Sequence, residues 1–307
     1  MPAMTKPSHV LVLITPPEPW HGLGESVRKI MAAAPDMHWA PPRMLGPGIA
    51  CEIPIKPPGR ETAEVVQRLI VTALKGHPVD ACVIPVANRR KKLLIADMDS
   101  TIIQQECIDE MADVLGVKPR IAAITERAMR GELPFEDALR QRLSLLAGIS
   151  ELQLQAVYDQ RIKLMPGAKT LVATMAANGA TTALVSGGFT FFTSRVAKAV
   201  GFAANHANTL EVADGRLTGR VVGAILGREA KLATLQEYAQ RHGLTPDDTL
   251  AVGDGANDLD MIKAAGLGVA YRAKPIVAAE AHAGITHGDL TALLYLQGYR
   301  KDEFVVV

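Results

Sequence analysis

The chain has 307 residues, 48% of them hydrophobic and 21% charged, with a formal net charge of +1. That length suggests about two domains, each with its own core, and the near-neutral balance argues against nucleic acid or an acidic membrane surface as the main partner. Three scattered cysteines (Cys51, Cys82, Cys107) cannot make a disulfide framework or a thiolate metal site. With no charged-then-apolar leader pattern in Met1 to Pro7 and no apolar run of membrane-spanning length, a reducing, cytoplasmic setting is expected. The eight histidines show no paired ligand spacing and are read as structural or surface residues.

In chain order, Val10 to Ile14 reads as a strand and Gly24 to Ala34 as a helix. Met37 to Leu45 and Ile49 to Ile55 read as two strands joined by a Gly-Pro-Gly turn. Glu61 to Leu74 has helical periodicity, and Ala81 to Val86 closes the unit as a strand. The order βαββαβ describes a small α+β sandwich over residues 1–86, a four-stranded sheet with two helices on one face. By element order it resembles the ferredoxin-like, ACT-type regulatory fold, which implies small-ligand regulation or dimer contacts, hence a homodimer as one expected arrangement. Proline pairs at Pro16-Pro17, Pro41-Pro42 and Pro57-Pro58 interrupt its strand edges and loops, which favours a structural or oligomerising role.

The basic run Arg89-Arg90-Lys91-Lys92 reads as a solvated linker. From residue 92 to 307 the pattern changes to α/β. The apolar strand Leu93 to Ala96 is followed by helical signals over about 106–164, with no good strand among them. A helix (Ala168 to Asn178), a strand (Thr182 to Val185), a hairpin between Phe202 and Ile225 turning at Asp214-Gly215, and a helix (Glu229 to Ala239) come next. Strands at Leu250 to Val252 and Gly268 to Ala270 complete a parallel, Rossmann-like sheet with an early helical insertion, placed to cover a site at the strand ends.

Those strand ends carry the chemistry-bearing residues. Asp97-Met98-Asp99-Ser100-Thr101 puts two carboxylates one residue apart; taken alone this is equally a turn with Asp and Ser caps. Ser186-Gly187-Gly188-Phe189 reads as a phosphate cradle at a helix N-terminus or as a Ser cap beside flexible glycines. Gly253-Asp254-Gly255-Ala256-Asn257-Asp258 suits a hard cation, or is a glycine turn capped by Asp258. Lys231, early in its helix, is by itself an ordinary solvated lysine.

In this order, over Lys92 to about Ala270, the four signals resemble the motif set of the haloacid dehalogenase superfamily, and in detail its phosphoserine phosphatases. The resemblance implies a Mg²⁺-dependent hydrolase for O-phosphoserine, acting in serine biosynthesis. It assigns Asp97 as nucleophile, giving an aspartyl-phosphate, and Asp99 as the acid that protonates the leaving alkoxide and then activates water. Mg²⁺ is implied between the Asp97 carboxylate, the Asp99 carbonyl and the Asp254 carboxylate, with waters completing an octahedron. Ser186 and the Gly187 N–H are implied to bind phosphate, Lys231 to neutralise its charge, Asn257 to contact it, and Asp258 to orient Lys231 or a metal-bound water. Asp260 reads as a helix-surface acid.

Within the insertion, Phe135, Leu139 and Leu146 form an apolar stripe with Arg142 beside it. Spacing alone makes Arg142 a flanking surface charge and Glu106 a first-turn helix acid. The family resemblance makes them readers of the substrate's carboxylate and ammonium, with Met129 and Phe135 as apolar shields. The segment 136–146, Glu-Asp-Ala-Leu-Arg-Gln-Arg-Leu-Ser-Leu-Leu, resembles that family's cap. Rival readings are a phosphoserine:homoserine phosphotransferase or a broader small-monoester phosphatase, and, outside enzymes, an amino-acid-sensing binding protein. The acid at Asp99 disfavours dehalogenation.

Overall fold

The computed structural model describes residues 7–17, 22–35, 37, 39–55 and 60–307, the side chains of 60–62 and 129 excepted. The first elements are β1 (His9–Ile14), α1 (Leu23–Ala33), β2 (Arg43–Gly46), β3 (Ala50–Ile55), α2 (Arg60–Ala73) and β4 (Asp80–Pro85). Their strands make an antiparallel sheet in the order β2-β3-β1-β4. The strand expected from Met37 starts only at Arg43, because Pro41-Pro42 has no N–H to give a ladder. The pair at Pro57-Pro58 lies outside the described residues.

β1 is buried on both faces, as its unbroken apolar run requires. Leu11 and Leu13 join Ile30, Ile53, Val66 and Ile70 beneath the two helices. Val10, Val12 and Ile14 belong instead to the main core, with Ile285, Leu294 and Tyr295 from the far end of the chain. Asp80, at the start of β4, fastens the two parts: its buried carboxylate accepts from the backbone N–H groups of Thr286 (2.8 Å), His287 (3.0 Å) and Gly288 (2.8 Å).

The basic run is solvated only at Arg90 and Lys92. Arg89 pairs with Glu52 of β3 and donates to the Leu296 carbonyl at 2.8 Å, while the buried Lys91 donates to the Asp247 carbonyl at 2.6 Å. Each charge found a partner from a distant segment, which a local reading of four cations could not supply.

Next come β5 (Leu93–Ala96), α3 (Cys107–Val114), α4 (Lys118–Met129), α5 (Phe135–Ser144), α6 (Glu151–Arg161) and α7 (Ala168–Ala177). After them lie β6 (Thr181–Phe189), α8 (Thr190–Val200), β7 (Ala204–Ala213), β8 (Arg216–Val222), α9 (Arg228–Arg241) and β9 (Thr249–Gly253). The chain closes with α10 (Leu259–Ala264), β10 (Leu267–Tyr271), α11 (Pro275–Ala278), β11 (Ala283–Ile285) and α12 (Ala292–Leu296). The strands form one sheet, β11-β10-β9-β5-β6-β7-β8, parallel except for the β7–β8 hairpin at its edge.

β5 lies between β6 and β9, so the chain leaves the centre in one direction and returns on the other side. Such a switch point opens a crevice at the carboxyl ends of the strands. Helices α3 to α6 form a cap inserted directly after β5. Its two connecting strands pair with each other: Ile103 bridges Leu164, and Gln104 N–H donates to the Lys163 carbonyl at 2.9 Å. Among the described residues no helix is long and apolar enough to cross a membrane.

Candidate active site

Three adjacent strands deliver the site. β5 ends at Ala96 and places Asp97, whose N–H donates to the Val252 carbonyl of β9 at 3.0 Å. The chain then curls back on itself: the N–H groups of Ile102 and Ile103 both reach the Met98 carbonyl, and Ser100 is held at φ 55°. That left-handed residue stores local strain at the tip of the acidic loop. β9 delivers Asp254. Gly253 before it is needed because the Asp258 side chain folds back into the space a Cβ would occupy.

Lys231 of α9 lies 2% exposed, its ammonium donating at 2.6 Å to both Asp97 Oδ1 and Asp258 Oδ1. Burial pulls down on the ammonium, but the charges of Asp258 and Asp97 outweigh it and hold Lys231 above its ordinary value. Asp97 is pushed up, first by burial and then by the charge of Asp258, with Lys231 opposing. Asp254 is raised to about 6, again by burial and then by Asp258. Asp97, Asp254 and Asp258 each bring a carboxylate oxygen into a group spanning at most 4.8 Å. Against one ammonium, three acids leave an excess of negative charge that a divalent cation would neutralise, and hard oxygen donors of this kind suit such an ion. The Asp99 carboxylate is outside that group, and Asp258 stands in it.

Asp99 faces the other side. Its Oδ1 accepts from Cys107 N–H at 2.9 Å and its Oδ2 from the Ser186 hydroxyl at 3.2 Å. Burial raises its carboxyl, and these bonds pull partly back. The Ser186 oxygen in turn accepts from Gly188 N–H at 2.8 Å. A Cβ on Gly188 would stand 3.0 Å from Ser186 Oγ and 3.1 Å from Asp99 Oδ2, so a larger residue would crowd these two groups. Ser186-Gly187-Gly188-Phe189 leads directly into α8 at Thr190, as expected, but it does so as an extension of β6, through a stretch where the register with β7 shifts.

The cap residues are set more loosely. Glu106 precedes α3 and accepts from the Ser100 hydroxyl at 2.6 Å; burial of the carboxylate, then the charge of Asp99, raise it. Arg142 of α5 donates to the Ala138 carbonyl at 3.3 Å and the Thr125 hydroxyl at 3.4 Å, and makes no ion pair among the described residues. The Phe135 ring, 41% exposed, rests over Gly187 and Gly227, 3.5 Å from where a Cβ would stand on either. Met129 closes α4, and its side chain lies outside the described residues. Asn257 is exposed beside Asp258, and Asp260 pairs with Arg228 on the surface. Two buried residues had escaped the sequence reading: Thr101, whose hydroxyl lies 3.5 Å from Asp254 Oδ1, and Asn208 in β7, whose amide in a half-buried strand was the only signal.

Comparison with known proteins gives the family. The family described as haloacid dehalogenase-like hydrolase matches residues 94–263. A phosphoserine phosphatase of Streptomyces coelicolor is 42% identical over 80% of this chain, which spans only 60% of that protein's length. One from a Polaromonas strain is 48% identical over 67% of this chain and 89% of its own. The crystal structure of a probable phosphoserine phosphatase from Vibrio cholerae superposes with a TM-score of 0.77 at 32% identity, covering 95% of this chain and 86% of that one. With residues 94–263 matched by the family description and most of the Polaromonas protein covered, the chain belongs to the haloacid dehalogenase-like hydrolases, among the relatives of their phosphoserine phosphatases.

Proposed function

We propose that this protein is a Mg²⁺-dependent phosphoserine phosphatase, releasing L-serine and phosphate from O-phospho-L-serine through an aspartyl-phosphate on Asp97. One observation carries the reading: a buried carboxylate at the carboxyl end of the central strand, 2.6 Å from a buried ammonium. A nucleophilic acid needs a fixed positive charge beside the phosphoryl oxygens it attacks, and Lys231 supplies it. Asp97 Oδ attacks phosphorus. Asp99, its carboxyl raised by burial, protonates the departing serine alkoxide oxygen and then takes a proton from the water that cleaves the acyl-phosphate. The Ser186 hydroxyl and the Gly187 N–H hold phosphate oxygens, with Asn257 at the rim.

Asp97 and Asp254, with the Asp99 carbonyl, would hold Mg²⁺, which when bound supplies charge neutralisation and polarises the phosphoryl oxygen. Asp258 keeps Lys231 aimed. Arg142 takes the substrate carboxylate, Glu106 the ammonium, and Phe135 shuts the cleft over Gly187 and Gly227, excluding water. Residues 1–86 brace the catalytic part, and the three buried thiols suit a reducing cytoplasm. The test is phosphate release from a panel of phosphorylated amino acids and sugars, with and without Mg²⁺. Preferred release from phosphoserine is expected; transfer to added homoserine in place of free phosphate, or equal rates across the panel, would reject the assignment.

A further inference from the structure

Asn208 lies in β7 with 2% exposure and touches none of the four acids of the cleft by any hydrogen bond among the described residues. Its Nδ2 donates to the Gly187 carbonyl at 2.9 Å and the Leu226 carbonyl at 3.3 Å, and its Oδ1 accepts from Leu226 N–H at 2.7 Å. The ladder between β6 and β7 loses register between Val185 and Phe189, and the Asn208 amide supplies a donor within that irregular stretch. The peptide joining Gly187 to Gly188 is thereby held at both polar ends, its carbonyl by Asn208 and its N–H by Ser186 Oγ at 2.8 Å. On the other side, one side chain grips both backbone groups of Leu226, the residue before the Gly227 cap of α9 and five before Lys231. Phe135 rests over Gly187 and Gly227, the two residues flanking this junction, so both segments form one floor beneath the cap.

We propose that Asn208 is the positioning residue of the phosphate-binding site: it holds the Ser186–Gly188 segment and the segment leading to Lys231 in fixed register while contacting no substrate itself. Only a carboxamide provides two donors and an acceptor in one plane of this reach; an ionised Asp would turn an oxygen onto two carbonyls, and a hydroxyl is too short to serve both segments. The inference rests on the phosphatase reading for its chemistry, but its test reads phosphate binding directly.

The experiment uses the full chain with Asn208→Ala, Asn208→Ser as a milder change, and Asn205→Ala as a control on the same strand. Asn205 accepts from Thr193 Oγ1 at 2.9 Å and Ser194 Oγ at 3.4 Å, away from the cleft. The probes are p-nitrophenyl phosphate turnover, inorganic phosphate affinity by calorimetry, and Tm. Asn208→Ala should weaken phosphate binding and raise KM for the aryl ester in parallel, by about tenfold, with Asn208→Ser intermediate. Asn205→Ala should lower Tm and leave both constants within about twofold. If Asn208→Ala folds poorly, Asn208→Ser carries the measurement. Phosphate affinity unchanged in the Asn208 variants, or reduced equally by Asn205→Ala, overturns the proposal. A wild type that binds phosphate but hydrolyses no ester would instead reject the phosphatase reading and leave this one to the calorimetry.

Discussion

At the carboxyl edge of the sheet, Asp97, Lys231 and Asp258 are 5%, 2% and 0% exposed and joined by bonds of 2.6 Å. Across the same cleft, Phe135 is 41% exposed and Arg142 is held only by contacts of 3.3 and 3.4 Å. The first group is preorganised: its dipoles and charges need no rearrangement when a phosphoryl group arrives. The second can shift with the cap, as groups must that close over a substrate and reopen for product. If the sheet edge sets the reaction type and the cap the choice of ester, variants on the two sides should fail in different ways.

The largest effect tests the sheet edge. Asp97→Asn keeps the shape but cannot form an acyl-phosphate, and turnover should fall by at least about 10⁴-fold with Tm little changed. Rapid quench of the wild type should trap phosphate on Asp97; an active Asn variant would break the comparison at its root.

Next in size is the metal. Chelation should remove activity and Mg²⁺ restore it. Asp254, raised to about 6, must lose its proton before an ion can bind, so the half-activating Mg²⁺ concentration should rise about tenfold per pH unit below 6. A requirement independent of pH between 5 and 6 would show that no metal-binding carboxyl titrates in that range.

The cap is sharpened by Arg142→Ala. For phosphoserine kcat/KM should drop by about 3 kcal/mol, the loss of a charge-assisted pair. For p-nitrophenyl phosphate, which has no carboxylate, it should hardly move. Equal losses on both esters would place Arg142 in the cap's architecture and erase the division of labour.

The smallest effect on turnover belongs to the clamp at Asp80. Asp80→Ala leaves three N–H groups without their acceptor and should cost about 2–5 kcal/mol of stability by denaturant titration. Activity per folded molecule should stay within about twofold, since no cleft residue is touched. A large loss of kcat at full folding would mean that the N-terminal sheet reaches the chemistry.

Most elements could be read from the sequence because periodicity and turn residues act locally: β5, the hairpin turn at Asp214-Gly215 and α9 fall where pattern put them. The extension of β6 past Val185 could not be placed, since serine and glycine are cap formers and pairing with β7 resumes only at Phe189. Asp80, Arg89 and Asn208 were equally illegible as structural ties. Each looks like an ordinary polar residue until a segment 21 to 208 positions away supplies its partner. Asp97 and Lys231, 134 positions apart, were readable only because their motif order is shared with a family.

The two-faced β1 has a consequence for how the protein is made. A ribosome completes this sheet at Pro85, the end of β4, roughly 200 residues before the segment around Thr286 to Gly288 that fastens over the side bearing Val10, Val12 and Ile14. At about 5–20 residues per second, the nascent sheet waits on the order of 10–40 s with an apolar face uncovered. During that interval the growing chain offers chaperones a defined greasy surface, and crowded polysomes a route to aggregation that the finished enzyme does not show.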